Sequence, residues 1–442
     1  MIQNIFLTFF IMLFTLSCGS DGGDDSSPDT PDDVVVIPLE QIKSPMRKSS
    51  LATLVILINY NDIQIGSTDT VWSQKIFGTR VNELNAYYKE TSNNQFQLTP
   101  ATEGLGVAND GIISVYLNKN HPSIDINFPN FSAIVYPDLK TALELADTSI
   151  NYANYDTNGD GAISFDELSV VFIFAGYEDA YEGYHVNKGI WAHTSCLDSF
   201  VAQVNLDSVD ILACKDKASF TLFGEQHDIR FTKTHNATIG IIAHELGHAI
   251  FNLPDLYNTY IANSGGIGYF GLMGSGMWAR KNDTEDPGET PVHFSAWSKI
   301  YNRWIVPTEA EYGTQTLDET SSSSYNILKI SIDANHYYLL ENRNNSGFDK
   351  GLFQLNGTFD GGIAIWKINE EKLRESNFED NNVNAVTSNK GVDIVEAIEG
   401  DIDSTGSGGD ENALYYEGNK NYFLDYVTNI SPRASTMTLN IK

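Results

Sequence analysis

The sequence predicts an α/β domain over residues 49–311, followed by a β-rich domain over residues 312–442. Two domains are expected because single hydrophobic cores stop growing well below a length of 442 residues. In the first part, buried strands alternate with amphipathic helices, which favours an α/β layer. From about residue 312 the helical periodicity largely disappears, and short strand-like runs follow one another between Gly, Asn, Asp and Ser clusters.

The elements of the first domain follow from their apolar patterns. LATLVILINY (51–60) and LSVVFIFAG (168–176) are continuous apolar runs, typical of strands buried on both faces. A helix is predicted over residues 80–92, with Val81, Leu84 and Tyr88 on one face, and a second one over residues 138–150. The strand-like runs of the second domain are YNILKISI, HYYLLENR, GGIAIWKIN, VDIVEAIEG and STMTLNIK.

The charge balance narrows the classes of partner. Acidic residues outnumber basic ones 58 to 27, and the net charge of −31 argues against nucleic acid or anionic lipid as an electrostatic partner. Such a surface suits a secreted protein in a calcium-rich setting. The alternative is that the acidic surface only keeps the protein soluble.

The amino-terminal residues predict export. IFLTFFIMLFTL (5–16) carries no charge and is too short to span a bilayer, but it has the length of a signal-peptide core. Cys18 follows small residues, which resembles a bacterial lipoprotein processing site and makes residues 1–18 a lipoprotein signal peptide. Thr15, in place of the usual leucine, departs from that pattern, and ordinary secretion is the alternative.

Residues 19–48 are rich in Asp, Ser, Gly and Pro, which predicts a flexible acidic stalk. The acidic stretch directly after Cys18 resembles surface-export signals of some Gram-negative lipoproteins. We therefore expect an outer-membrane lipoprotein that faces the cell exterior and touches the membrane through its lipid anchor only.

Two cysteines remain after Cys18. In an oxidising compartment Cys196 and Cys214 could form a disulfide whose loop closure contributes about 3 kcal/mol to stability.

The stretch NATIGIIAHELGHAIFNLPD predicts a helix that begins near Asn236 and ends before Pro254. His244 and His248 are four residues apart, so both imidazoles project from one face at a separation that suits one zinc ion. Glu245 lies beside them, where it can take a proton from a metal-activated water and pass it to a leaving amine. The alternative is a buried helix whose histidines face solvent or bond each other.

A third ligand is needed. Pro254, which has no donor atom, occupies the position at which metzincin-type sites place this ligand. Asp255 is the nearest candidate, with a turn-capping role as its alternative. Glu285 and Glu289 are further candidates downstream.

The segment DTNGDGAISFDE (156–167) matches a twelve-residue calcium loop, with Gly161 at the sharp turn. The oxygen donors it offers are Asp156, Asn158, Asp160, the carbonyl of Ala162, Ser164 and Glu167. A strand follows the loop rather than a helix, so we expect a structural calcium clamp and not a sensor. The alternative is a solvated Asp/Asn loop.

With these motifs the chain resembles the immune inhibitor A type of bacterial zinc metallopeptidases over roughly residues 51–425. The matching segments, in the family's order, include YYKETSNNQFQLTP, GIWAH, HELGHAIFNLPDLYN, GIGYFGLMGSGMW, PVHFSAWSKIYNRWIVP, YYLLENR and ALYYEGNKNYF. The resemblance implies a zincin-like, metzincin-related catalytic domain. It also implies that His244 and His248 bind zinc, that Glu245 is the catalytic acid/base, and that Met273 lies beneath the metal in a Met-turn.

Other side chains match family positions without an assigned chemistry. His193 and His293 are ligand or oxyanion candidates, with satisfied structural histidines as the alternative. Tyr257, Tyr269 and Tyr301 could offer a phenol to a tetrahedral intermediate, or simply pack. Where the family commonly has I-W-H-I-D, this chain has IWKIN, so Lys367 and Asn369 depart from its pattern.

The sequence therefore predicts a zinc metalloendopeptidase, braced by Ca²⁺, that hydrolyses peptide bonds of extracellular proteins and binds no nucleic acid. One alternative is a catalytically inactive binding or adhesion lipoprotein on the same fold. Another is a protease restricted to mucin-like glycoproteins. The sequence makes no prediction of oligomeric state.

Overall fold

The computed structural model describes residue 46 and residues 48–442, apart from residues 125–129, 183–187, 199, 217–218, 229–232, 260–264, 375–380, 399–401, 404–407 and 420–425. The predicted signal peptide, Cys18 and most of the predicted stalk lie outside the described residues. No α-helix in the described part of the chain is both long and apolar enough to cross a membrane.

The described α-helices all precede residue 302. They are Asp69–Phe77 (α1), Leu84–Thr91 (α2), Phe131–Ala146 (α3), Asp179–Glu182 (α4), Ile239–Phe251 (α5) and Ala296–Tyr301 (α6). Short 3₁₀ helices lie at Tyr152–Asn154, Cys214–Asp216, Gly268–Phe270, Ser275–Trp278, Gly347–Leu355 and Glu411–Ala413.

The first ten strands lie before or between these helices. They are Ser50–Asn59 (β1), Gln97–Pro100 (β2), Ile112–Tyr116 (β3), Ser169–Glu178 (β4), Gly189–Ile190 (β5), His193–Ser195 (β6), Val204–Leu206 (β7), Val209–Ile211 (β8), Phe220–Asp228 (β9) and Thr234–Asn236 (β10). The main sheet has the order β10-β9-β4-β1-β2, with β3 on β1, β5 on β4 and β6 on β9. Strands β1 to β4 and β9 are parallel, whereas β6 and β10 run antiparallel to β9. The predicted α/β character of this part is confirmed.

Strand β1 is buried on both faces, as its continuous apolar run predicts. Leu51, Val55 and Leu57 point into one core cluster, and the alternate residues Leu54 and Ile56 point into the other. Helix α5 packs in the first cluster and α3 in the second, so the sheet has helices on its two faces. This layering places α5 against the sheet beside β6 and β9.

Three helix boundaries differ from the sequence predictions. Helix α2 begins at Leu84, and Val81, predicted on its apolar face, is 72% exposed. Helix α3 covers Phe131–Ala146 instead of 138–150 and contains Pro137. Helix α5 begins at Ile239, because Asn236 pairs with Gln226 in the β9–β10 ladder and cannot cap the helix.

The later strands are Thr308–Glu309 (β11), Gly313–Asp318 (β12), Leu328–Ser331 (β13), His336–Arg343 (β14), Gly362–Asn369 (β15), Val392–Ile394 (β16), Val427–Thr428 (β17) and Thr436–Ile441 (β18). They form a sheet of order β11-β13-β14-β15-β16 and a second one of order β12-β18-β17. The division into domains at residues 311/312 stays a prediction. One core cluster contains Leu246 and Phe294 from before that boundary together with Leu339, Trp366 and Leu414 from after it.

Candidate metal centre

Helix α5 carries His244 and His248 on one face, since four residues make slightly more than one helical turn. The helix ends at Phe251 and is followed by Asn252, whose backbone is left-handed at φ 53° and whose N–H donates to the carbonyl of His248 at 3.0 Å. Asparagine tolerates this conformation at a helix end. The chain therefore reverses at once and brings Asp255 back to the two histidines.

Three ligand atoms converge at this reversal. His244 Nε2 and His248 Nε2 lie 3.1 and 3.3 Å from Asp255 Oδ1. The two Nε2 atoms are 3.2 Å apart. Donors about 2.0 Å from a tetrahedral zinc ion lie about 3.3 Å from one another, so this triangle has the size that zinc requires.

The hydrogen bonds of the two imidazoles also favour a cation between the three ligand atoms. The Nδ1 atoms of His244 and His248 lie 3.1 and 2.6 Å from the carbonyl oxygens of Leu272 and Leu253, which assigns the imidazole proton to Nδ1. Each Nε2 then presents a bare lone pair. When both imidazoles are neutral, the buried Asp255 Oδ1 accepts no hydrogen bond from the described residues. Three electron pairs facing one another repel unless a positive charge lies between them, so the residues present fit a metal ion.

The side chains also shift each other's acidity. Burial opposes both charges, but without a metal ion the contact with Asp255 outweighs it and raises the pKa of His248 to about 9, so that a proton on Nε2 then takes the place of the cation beside Asp255. Against the same effect of burial, the two histidines lower the pKa of Asp255 well below its usual range. The carboxylate therefore stays ionised and available as a ligand.

Glu245 directly follows His244 in helix α5 and is also buried. Thr194 Oγ1 donates to Glu245 Oε2 at 3.1 Å and to its backbone carbonyl at 2.8 Å. Burial raises the pKa of Glu245, opposed by the neighbouring histidines. A raised pKa suits a carboxylate that must accept a proton and then release it.

The turn around Met273 lies directly against α5. The Met273 carbonyl accepts from the Leu256 N–H at 2.8 Å. A Cβ added at Gly247 would lie 2.8 Å from Met273 Sδ, so the glycine permits the close approach. Met273 therefore contacts both helix α5 and the segment after Asp255, and its assignment to a Met-turn stays a prediction.

Arg343 fixes the start of this turn from strand β14. Its Nη1 donates to the carbonyl of Phe270 at 2.6 Å, and its Nε and Nη2 donate to Asp349 at 2.6 and 2.5 Å. Both side chains are fully buried. Because Leu272, two residues after Phe270, accepts the His244 proton, the buried ion pair supports the orientation of that ligand.

The three candidate ligands open into a cleft of about 610 Å³, a volume typical of ligand sites. Its walls include Trp191 and Thr194 next to and within β6, Tyr257, and the Cys196–Cys214 pair. Phe165, from the predicted calcium loop, also lines it.

The other candidate ligands lie elsewhere. Glu285 accepts from Lys281 N at 3.0 Å and Thr290 Oγ1 at 2.7 Å. Glu289 lies in the acidic group that it forms with Glu285 and Asp286. Among the described residues, neither belongs to a group of three with metal-ligand separations.

The two further histidines have protein partners. His193 contacts the Trp191 carbonyl at 3.0 Å and the Tyr136 hydroxyl at 3.3 Å, and burial lowers its pKa to about 4. His293 Nε2 contacts Glu90 at 2.9 Å. These contacts agree with the structural alternative, but His193 also lines the cleft, and the roles of both histidines stay a prediction.

The three tyrosines are placed differently. Tyr257 lies in the cleft, with its ring 6.4 Å from that of His244 and nearly parallel to it. Tyr301 donates to the Asn252 carbonyl at 3.3 Å and thus packs at the end of α5. The Tyr269 backbone N–H donates to the carbonyl of Gly408 at 2.9 Å.

The predicted calcium loop folds around its own carboxylates. Asp156 accepts from the N–H groups of Gly159, Asp160 and Gly161, and Glu167 accepts from those of Thr157, Asn158 and Ser164. Gly161 has φ +83°, as the sharp turn requires. The loop acids do not form a group of metal-ligand separations among the described residues. The calcium assignment stays a prediction.

The same loop is joined to the disulfide segment. Ile163 N donates to the Asp210 carbonyl in β8 at 2.9 Å, and Asp210 N donates to the Gly161 carbonyl at 2.9 Å. The structure links Cys196 and Cys214 in a disulfide, the pairing expected from the sequence. Asp198 lies beside it, and with both sulfurs in the bond this group offers no metal site.

The sequence model of the immune inhibitor A peptidase M6 catalytic domain matches residues 57–306, more than half of the 442 residues. The chain belongs to the immune inhibitor A peptidase M6 family. This confirms the resemblance on which the sequence interpretation rests, and the matched span contains both histidines, Glu245, Asp255 and Met273.

Curated relatives of this M6 chain include the pre-pro-metalloprotease PrtV from two strains of Vibrio cholerae serotype O1. The identity is 27% over 283 residues, which cover 58% of this chain and 29% of the relative. The chain thus spans less than a third of the length of the curated relatives it matches. The relationship supports a metalloprotease.

Solved structures of wild-type OgpA from Akkermansia muciniphila, in two crystal forms, have TM-scores of 0.30 and 0.29 with 12% and 13% identity. The alignments cover 80% and 75% of this chain and 90% and 88% of OgpA. Scores at this level do not establish a shared fold.

Two contacts of the M6 site have no signal in the sequence. Thr194 reaches Glu245 across 51 residues, and Asn381 reaches Asp255 across 126 residues. The GIWAH match ends one residue before Thr194, and only this neighbourhood could have drawn attention to it.

Proposed function

We propose that this M6 chain is a zinc metalloendopeptidase that hydrolyses peptide bonds of extracellular proteins. The observation that carries the proposal is the convergence of His244 Nε2, His248 Nε2 and Asp255 Oδ1 beside Glu245 in an open cleft. These three residues would hold the ion. When bound, zinc supplies polarisation of the scissile carbonyl and acidification of a water molecule.

The chain's own residues perform the proton transfers. Glu245 accepts a proton from the attacking water and returns it to the amine as the peptide bond breaks. The Thr194 hydroxyl holds that carboxylate towards the cleft. The carbonyls of Leu272 and Leu253 keep the two imidazoles in the tautomer that exposes Nε2. A zincin-like catalytic fold followed by a β-rich domain is part of the same proposal.

The test is hydrolysis of casein and of a mucin-type glycoprotein by the full chain, alongside Glu245→Gln, Asp255→Ala and a zinc chelator. We expect Glu245→Gln to keep its zinc and to lose about 10²- to 10⁴-fold in kcat, because it can no longer accept a proton. Asp255→Ala should lose zinc as well as activity. Full zinc occupancy in Asp255→Ala would remove this residue from the ligand set.

The same assay separates the alternatives. Cleavage of the mucin-type glycoprotein while casein survives would assign the restricted specificity. A zinc-loaded chain that cleaves neither would favour the inactive binding or adhesion protein. The proton acceptor Glu245, buried beside the ligands, argues for the enzyme.

Calcium binding by residues 156–167 is proposed on the chemistry of the donor set, whose Asp156, Asn158, Asp160 and Glu167 side chains offer the oxygens that Ca²⁺ prefers. Calcium should raise the melting temperature according to RT ln(1 + [L]/Kd). An Asp156→Ala variant that keeps the full response would refute this assignment.

Anchoring at the outer surface of the outer membrane through Cys18 is proposed from the sequence pattern. Labelling with a radioactive fatty acid tests it. The label should enter the wild-type chain and be lost in Cys18→Ala, and equal labelling of both would exclude this cysteine.

A further inference from the structure

The segment at residues 381–384 reaches the metal centre from the later, strand-rich part of the chain. Asn381 Nδ2 donates to Asp255 Oδ2 at 2.6 Å, and the Asp255 backbone N–H donates to Asn381 Oδ1 at 2.8 Å. One amide thus contacts both the side chain and the backbone of the third ligand. Asn381 also lines the cleft.

This two-point contact determines which carboxylate oxygen faces the histidines. The terminal torsion of an aspartate is broad, so an unsupported carboxylate samples many orientations. With Oδ2 bonded to Asn381, Asp255 leaves Oδ1 at 3.1 and 3.3 Å from the two Nε2 atoms. The amide therefore selects the orientation in which a single oxygen completes the triangle.

Asn381 is itself held in place. Asn384 Nδ2 donates to the carbonyls of Leu256 and Val392 at 2.9 and 2.8 Å, and its Oδ1 accepts from Gly391 N and Val392 N at 3.1 Å each. The segment is thereby tied both to the start of β16 and to the residue after Asp255. The contact with Asp255 therefore comes from a segment that is anchored three residues further along the chain.

The outer partners of the three ligands differ in kind, and the Asp255 carboxylate also bonds the side chain of Tyr257, two residues further along the chain. His244 and His248 use backbone carbonyls close to their own helix or turn. Asp255 alone among them uses a side chain from a distant part of the sequence. A partner of this kind typically changes metal affinity 10- to 100-fold when it is removed.

We infer that Asn381 is a positioning residue for the metal centre, which orients Asp255 so that the later strands complete the zinc site. This inference rests on the zinc site proposed above. Asn381 contacts no reacting atom, so it acts through the ligand.

The test measures the zinc dissociation constant of the full chain by chelator competition at pH 8. Asn381 has φ +52°, a conformation that glycine adopts without strain, so Asn381→Gly removes the amide and leaves the backbone compatible. Asn381→Asp keeps the size but sets a carboxylate against Asp255. The matched control is Asn429→Gly, at an exposed position with φ +50°.

We expect zinc to bind 10- to 100-fold more weakly to Asn381→Gly and at least as weakly to Asn381→Asp, with Asn429→Gly unchanged. At saturating cobalt(II), the visible spectra of both Asn381 variants should differ from wild type in band position and intensity, because the bound carboxylate is reoriented; a general loss of stability would lower the amount bound without changing the spectrum of the bound ion. Dissociation constants within threefold of wild type in both variants would overturn the inference while leaving the zinc site standing. A wild-type chain that binds no zinc would instead refute the proposed function.

Discussion

Substitution of Thr194 tests the catalytic role of Glu245 without altering a candidate metal ligand, because the Thr194 hydroxyl bonds the Glu245 carboxylate. Thr194→Val removes the hydroxyl and keeps the side-chain shape, and Thr194→Ser keeps the hydroxyl. Valine would leave the buried Glu245 carboxylate without the bond that now reaches it at 3.1 Å.

The expected magnitude follows from the geometry. A hydrogen bond to a charged group contributes about 1.5–3 kcal/mol. The single proton of Thr194 is shared between the carboxylate and the backbone carbonyl of Glu245, at 3.1 and 2.8 Å, which favours the lower limit. Because about 1.4 kcal/mol corresponds to a factor of ten, kcat should fall about tenfold.

The assay is the steady-state hydrolysis of a soluble protein substrate, with bound zinc measured on the same samples. We expect kcat to fall in Thr194→Val, KM to stay within about twofold, zinc content to stay unchanged, and Thr194→Ser to behave as wild type. Equal kcat values for the valine and serine variants would refute the idea that this hydroxyl positions Glu245.

Three further predictions concern stability. Burial raises the pKa of Glu178 to about 8, although hydrogen bonds from three backbone N–H groups lower it. Between pH 4.5 and about 8 the folded chain therefore holds a proton that the unfolded chain has released. The free energy of unfolding should therefore fall by about 1.4 kcal/mol per pH unit over this window, and Glu178→Gln should remove that slope in urea titrations; parallel slopes would contradict it. Replacing Cys196 and Cys214 by alanine should lower the free energy of unfolding by about 3 kcal/mol, and an unchanged urea midpoint would count against the disulfide. Gly247→Ala should lower the melting temperature by crowding Met273 Sδ, and Met273→Ala should recover part of the loss; strictly additive effects would rule out the contact.

Local spacing is enough to nominate the side chains that converge at the metal centre. His244, His248 and Asp255 lie within one helix and the reversal that follows it, so their proximity depends on one turn of helix and on Asn252. Strand β1 is equally local, because its apolar run alone indicates burial on both faces. In both cases one short segment contains the whole signal.

The partners of these residues depend on tertiary contacts that no local pattern encodes. Arg343 reaches Phe270 across 73 residues, and Asn381 reaches Asp255 across 126. A threonine or an asparagine in a polar segment is typical of any loop, so residue type gives no hint of such a role. The early helix start expected at Asn236 is wrong for the same reason, since a strand partner outcompetes the cap.

The core cluster that contains Leu246, Leu339 and Leu414 limits where this chain can be truncated without exposing its core. The family match begins at residue 57, inside β1, and ends at residue 306, before β11. A fragment trimmed to those limits would lose residues 50–56, most of the central strand β1, and would uncover the side of α6 that contacts β14 and β15. We expect it to aggregate on expression. The segment that must be kept together to fold is therefore longer than the segment over which the family's sequence model matches.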